Sequence, residues 1–298
     1  MNKLFEKLEN LKILVSDGAW GTELIKSGIN SNICPEILNL ENPDKVFNIA
    51  KQYIEAGSDI ISTNSFGASK IKLNSYSLSN KTYIINKTAA EISKKAAGDK
   101  LVMGSIGPCG KFLLTDEINE SELEESFYLQ IKGLVDGGVD CLLFETFYDL
   151  DELSIGINIA KDFTNIPIIC SLTFNKNNDG NFFTLMGNSI ENAFEELLKF
   201  GANIVGVNCG NGFNTTIEIL KQIKLKFPSQ KLIVQPNAGL PELVSEKIIY
   251  TETPEKIVTA VENYLELGVS IIGGCCGTTQ EHIKTIRKLV DQWRNKNR

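Results

Sequence analysis

The sequence predicts a single α/β domain, a closed (β/α)8 TIM barrel over residues 1–298. Three observations carry this prediction. A short β-branched run followed by a longer amphipathic segment recurs eight times. Each run ends where a loop begins, with Gly, Asn, Cys, Thr or Phe at or just beyond several of the ends. No Pro/Gly/Ser-rich linker separates the pairs, so nothing marks a second domain; a doubly wound sheet is the alternative topology.

The elements follow in order. The run Ile13 to Asp17 precedes a helical pattern over Asp44 to Ala56, and Asp59 to Asn64 precedes one over Asn80 to Ala97. Leu101 to Ile106 is paired with Ser121 to Asp136, and Asp140 to Glu145 with Leu150 to Phe163. Pro167 to Phe174 leads to Ile190 to Phe200, and Asn203 to Asn208 to Thr216 to Phe227. Lys231 to Pro236 leads to Pro254 to Leu267, and Val269 to Gly274 to Gln280 to Arg294. In each helix apolar residues recur at three- and four-residue steps, and several begin near Asn, Asp, Thr or Pro, residues suited to a first turn.

Composition excludes several classes. A net charge of -7 without a basic stripe argues against a nucleic-acid partner, because a phosphate backbone demands clustered Lys and Arg. The first nine residues carry charge at helical spacing rather than a signal peptide's apolar stretch. No later segment approaches the roughly 20 apolar residues of a membrane span, so a cytoplasmic protein without membrane partners is expected. Seven cysteines, an odd number with two adjacent, do not suit a disulfide framework; metal binding or catalysis is the expected use.

Barrel enzymes place their chemistry on the loops at the C-terminal ends of the strands. There the chain carries Asp17-Gly18-Ala19-Trp20, Thr63-Asn64-Ser65-Phe66-Gly67, Gly107-Pro108-Cys109-Gly110, Glu145-Thr146, Asn208-Cys209-Gly210, Gln235-Pro236-Asn237-Ala238-Gly239 and Gly273-Gly274-Cys275-Cys276-Gly277. Three thiols, Cys209, Cys275 and Cys276, stand at two strand ends separated by one strand, about 10 Å along a sheet and less once the barrel closes. Zinc holds thiolates at about 2.3 Å, so three sulfurs around one ion need lie only about 3.8 Å apart, and a fourth position stays open for substrate. Asp17 and Glu145 interrupt apolar stretches, where an unpaired carboxylate is costly to bury, and each is expected to meet a cationic group.

These motifs resemble the zinc-dependent homocysteine S-methyltransferases, and most closely the N-terminal homocysteine-binding barrel of cobalamin-dependent methionine synthase. The resemblance runs from Asp17-Gly18-Ala19 to Gly273-Gly274-Cys275-Cys276-Gly277-Thr278-Thr279. Its specific part is Asn-Cys-Gly followed 66 residues later by the Cys275-Cys276 pair, each closing a strand. It implies that Cys209, Cys275 and Cys276 hold zinc and that zinc binds the homocysteine sulfur. It also implies that Asp17 and Glu145 lie near the homocysteine amino group. The backbone around Gly18, Ala19 and the second and third strand loops, at Asn64 and Ser105, would receive the carboxylate. A neutral oxygen ligand occupies the fourth zinc position in relatives of this type, and Asn237 is the candidate for it; an Asx-type turn is the other reading.

The chemistry matches. A thiol with a reference pKa near 8.5 costs about 2 kcal/mol to deprotonate at pH 7, and zinc removes that cost. No histidine base is required, and the only histidine, His282, is expected at the surface. Cys34, Cys141 and Cys170 are read as packing residues, Cys109 as packing or pocket lining, and Trp20 as narrowing or covering the pocket. Gly277 after the cysteine pair and the Pro236-to-Pro241 loop resemble methionine synthase, whereas S-methylmethionine enzymes usually carry Arg after the pair. The expected donor is therefore methylcobalamin, supplied by a separate corrinoid or folate-domain protein. Donation from S-methylmethionine, S-adenosylmethionine or betaine stays open, as does a non-catalytic subunit that binds homocysteine or zinc.

Overall fold

The computed structural model describes residues 2–29, 33–210, 212–244 and 247–297. Eight parallel strands form the barrel: β1 (Leu14–Val15), β2 (Ile60–Ser62), β3 (Leu101–Ile106), β4 (Cys141–Phe147), β5 (Ile168–Leu172), β6 (Ile204–Cys209), β7 (Leu232–Pro236) and β8 (Ile271–Ile272). The ladder runs without a break from β2 through β8 to β1. The seam between β1 and β2 is closed differently. Asp59 N–H donates to Val15 O at 2.7 Å, and the Asp17 carboxylate accepts the Ser62 N–H at 2.7 Å.

Strand alternation builds two environments. Leu14, Ile60, Met103, Leu143, Ile169, Ile204, Ile233 and Ile271 form one buried cluster inside the barrel, and Leu4 and Leu8 of the helix Lys3–Leu11 pack into it. Alternate residues such as Val15, Ile61, Val102, Phe144, Cys170 and Val205 belong to the outer core under the helices. Two residues beyond the inner apolar layer come Ser16, Ser62, Ser105, Glu145, Ser171, Gly206, Gln235 and Gly273. The barrel thus turns polar at its C-terminal end. Gly273 is required at this level, because a Cβ there would lie 1.9 Å from Ser16 Oγ.

The helices match the sequence pattern closely, with Leu150–Phe163 and Ile190–Phe200 reproduced and Glu120–Asp136 capped by an Asn119/Glu122 capping box. The helix predicted to begin at Thr216 instead begins at Phe213. Thr216 Oγ1 donates to Gly212 O four residues back, so its hydroxyl serves the helix interior rather than its first turn. Among the features that escaped prediction are the helix Trp20–Lys26 and two antiparallel hairpins, Asn175–Lys176 with Phe182–Phe183 and Pro241–Val244 with Lys247–Tyr250. His282, expected at the surface, is 5 % exposed. Its Nδ1 accepts the Thr279 N–H and its Nε2 meets Glu252 O at 2.8 Å, so the ring closes a capping box and ties it to the chain beyond the second hairpin. Among the described residues no helix is long and apolar enough to cross a membrane.

Candidate active site at the C-terminal rim

The three thiols predicted to meet do meet. Cys209 at the end of β6 and Cys275 and Cys276 beyond β8 place their sulfurs within 4.8 Å of one another, with Cys209 Sγ and Cys275 Sγ 2.9 Å apart. Backbone bonds set this geometry: Cys275 N–H donates to Pro236 O at 2.8 Å, and Cys209 adopts φ +56°, which turns its side chain out of the strand direction. Hydrogen bonds from Cys209 and then Cys275 draw the Cys276 thiol down to about 3 against the opposing effect of burial.

Asn237 lies next to this cluster. Its N–H donates to Cys209 O and its Nδ2 to Gly210 O at 3.0 Å, which leaves the buried Oδ1 without a hydrogen-bond partner among the described residues. A bare buried amide oxygen costs about 1–3 kcal/mol and is suited to a cation.

The two acids do not meet cations, contrary to expectation. Asp17 accepts from Ser62 N–H, Ser62 Oγ and Trp20 Nε1, and Glu145 Oε1 accepts a short hydrogen bond from Ser105 Oγ. Neither forms an ion pair among the described residues. Burial pushes the Asp17 carboxyl up to about 6, against the Ser62 and Trp20 hydrogen bonds. Burial pushes Glu145 up to about 7, with the nearby charges of Asp17 and Cys276 adding to it. Two buried acids with no cation form a site waiting for one.

A pH dependence follows. Both carboxyls titrate higher in the folded chain than in the unfolded one, so the stability they contribute is complete at low pH and is lost as pH rises through about 6 and 7. Glu145→Gln removes the larger of the two values. Thermal melts of substrate-free protein should show Glu145→Gln gaining stability over wild type as pH rises between about 4.5 and 7, and a constant difference would refute the shifted carboxyl.

The remaining predicted residues divide. Ser105 is brought to Glu145, and its N–H is held by Thr63 Oγ1 at 3.0 Å. Ala19 N–H, expected to receive a carboxylate, already donates to Thr278 O at 3.2 Å, whereas Gly18 N–H makes no hydrogen bond among the described residues. Asn64 spends its side-chain amide on Pro35 O and Asn39 Oδ1, so it shapes the loop after β2. Trp20 turns its indole N–H to Asp17 Oδ2 at 2.8 Å. Cys109 is packed, its N–H donating to Glu152 Oε1 at 2.6 Å and its thiol pushed up to about 12 by burial and then by Glu152. Cys34, Cys141 and Cys170 are likewise buried free thiols.

Two contacts escaped the sequence reading. Thr146 Oγ1 lies 3.9 Å from Cys209 Sγ, and Tyr250 packs on Gly277 beside Cys276, whose thiol it helps to hold down. The Thr146 contact had no local signal. For Tyr250, the β-branched pair Ile248-Ile249 following Pro241 was a hairpin signal.

Comparison with known proteins agrees with this geometry. The chain is 28% identical to the methionine synthases of Mycobacterium leprae and Mycobacterium tuberculosis across 94% of its own residues, and spans 24% and 25% of their lengths. The Escherichia coli homocysteine methyltransferase MmuM has the same fold. Its metallated form superposes with a TM-score of 0.80 at 22% identity, covering 96% of this chain and 99% of that one, and its oxidized form with 0.79 at 21% identity and the same coverage. The family model for homocysteine S-methyltransferase matches residues 14–290, which takes in the whole barrel and all three clustered thiols, and the chain therefore belongs to the homocysteine S-methyltransferase family.

Proposed function

We propose that this homocysteine S-methyltransferase makes methionine with zinc held by Cys209, Cys275 and Cys276, and that its methyl donor is methylcobalamin carried by a separate corrinoid protein. The observation that carries the reading is the clustering of three sulfurs within 4.8 Å at the barrel mouth, a spacing that brackets the roughly 3.8 Å sulfur separation of a tetrahedral zinc site. The unpartnered Oδ1 of Asn237 fits the resting fourth ligand. Zinc in this site supplies the Lewis acidity that keeps the homocysteine thiol deprotonated at neutral pH.

The chain's own residues bind and orient the amino acid. Asp17 and Glu145 take the ammonium group, whose charge offsets their mutual repulsion. Ser105 fixes the Glu145 carboxylate by its hydroxyl, and the Gly18 N–H is the donor available to the substrate carboxylate. Gly18 is constrained to remain glycine, since a Cβ would stand 2.8 Å from Thr278 Oγ1.

The rim supports a macromolecular donor. Leu114, at 81 % exposure, lies beyond β3, and Leu243, at 77 %, lies on the hairpin beyond β7 with Ile248 and Leu240 also exposed. Apolar residues spread around a catalytic mouth suit a docking protein better than a small polar donor. In-line transfer requires the methyl group within about 3 to 3.5 Å of the sulfur. The expected result is slow turnover of homocysteine with free methylcobalamin, much faster turnover with a methylated corrinoid protein, and little with S-methylmethionine, S-adenosylmethionine or betaine. Efficient turnover with S-methylmethionine alone would sink the corrinoid donor while leaving the zinc site standing.

A further inference from the structure

We propose that the hydroxyls of Thr146 and Tyr250 lower the reactivity of two of the three clustered cysteines, Cys209 and Cys276, toward the methyl donor. This rests on the zinc reading above. Three cysteine sulfurs and a substrate sulfur on one ion face the same electrophile, and the site needs a device that separates them.

Thr146 is held for this purpose at some cost. It adopts φ +64°, a left-handed conformation that costs a β-branched residue about 1–3 kcal/mol. Asn208 clamps it there. Asn208 Oδ1 accepts the Thr146 N–H at 2.8 Å, and Asn208 Nδ2 donates to Thr146 Oγ1 at 2.6 Å. Ser171 Oγ, donating to the same Oδ1 at 2.6 Å, fixes which way the amide points. Because Thr146 Oγ1 accepts from Asn208, its own proton is directed elsewhere, and Cys209 Sγ at 3.9 Å is the sulfur it meets. Cys209 is itself at φ +56°, so backbone strain is stored on both sides of this contact.

Tyr250 reaches the cluster from the hairpin beyond β7. Its ring lies directly on Gly277: a Cβ there would stand 2.1 Å from the ring Cγ, and Gly277 adopts φ +80°. The glycine after the cysteine pair thus admits the ring, which brings the Tyr250 side chain beside the Cys276 thiol, and its hydroxyl helps to hold that thiol down. The Cys275 sulfur has no hydroxyl partner among the described residues; its neighbour is Cys209 Sγ.

A hydrogen bond to a thiolate draws density from the lone pair that would attack a methyl group. Methylation of Cys209 or Cys276 would form an S–CH3 bond and break the bond from methyl to donor, the donor leaving with its electron pair. The product thioether is a poor zinc ligand, so each such event would cost the site a ligand permanently. An unshielded substrate sulfur keeps its nucleophilicity; two of the residues around it have theirs reduced.

The test exposes zinc-loaded protein to methyl iodide without homocysteine and reads S-methylation at each cysteine by peptide mass spectrometry, with zinc content measured beforehand. Thr146→Val should raise methylation of Cys209 about fivefold, and Tyr250→Phe that of Cys276 about fivefold, the factor that one hydrogen bond of ~1 kcal/mol supplies. Thr146→Ser should restore the wild-type rate. In cobalt(II)-substituted protein the sulfur-to-metal charge-transfer band should move to longer wavelength in both hydroxyl-less variants, because the sulfur electrons are less tightly held. Tyr250→Phe keeps the ring on Gly277 and carries the test by itself if Thr146→Val fails to fold. Wild-type protein that takes up no zinc would overturn the zinc reading. Zinc-replete variants with the wild-type methylation pattern and band position would overturn the shield alone.

Discussion

Serine at Cys209, Cys275 or Cys276 should weaken zinc binding on the order of 100-fold and lower methyl transfer with it. A serine hydroxyl is not ionised at neutral pH and offers zinc no thiolate. The free energy of about 10–16 kcal/mol that a four-ligand zinc site supplies, divided among its ligands, gives roughly 3 kcal/mol for each, or on the order of a 100-fold loss of affinity. Folding should be nearly untouched, because each of the three residues is only partly buried and its backbone bonds do not involve the sulfur. Metal analysis of dialysed protein, paired with homocysteine turnover and a thermal melt, separates these outcomes. Full turnover in a metal-free preparation would remove the proposed mechanism.

Glu145→Gln should weaken homocysteine binding by about 1.5 to 3 kcal/mol, the range for a hydrogen bond to a charged group, with zinc content unchanged. Asp17→Asn should weaken binding by a similar amount and should also lower stability. The difference is structural: Asp17 accepts the Ser62 N–H across the β1–β2 seam and the Trp20 indole N–H on the same oxygen, so it helps to close the barrel. Asparagine retains one carbonyl oxygen for those two donors but places an amide group where the second oxygen accepts from Ser62 Oγ. Titration calorimetry of both variants, with denaturant melts beside it, distinguishes a binding loss from a folding loss. Unchanged affinity in both would show that the acids serve only the fold.

The barrel was legible because its causes are local and periodic. An inward apolar residue in each of eight runs, followed two places on by a polar residue in six of them and by glycine in the other two, marks a barrel that is dry at one end and polar at the other; Leu143 to Glu145 and Ile233 to Gln235 show it in single strands. The three thiols were legible for a related reason. Each closes a strand, and closure of parallel strands brings strand ends together whatever the loops do. Asp17 and Glu145 were found as acids in apolar runs, yet their partners were misjudged. Sequence shows that a buried carboxylate needs compensation but not that Ser62, Trp20 and Ser105 supply it with neutral donors.

What the sequence alone determined is therefore the strand-and-helix alternation, the polar end of the barrel and the identity of the three thiols that cluster there, all properties of hydrophobic period and of residues at strand termini. Tertiary structure decided the rest: that Ala19 N–H is already spent on Thr278, that His282 is a buried cap, and that Thr146 and Tyr250 reach the sulfurs. Apart from the Thr279–His282 cap, those contacts join residues 26 to 259 positions apart, through a strained φ, an amide clamp and a hairpin folded back over Gly277. Periodicity constrains which face a residue occupies; only the closed barrel and its loops decide what stands opposite it.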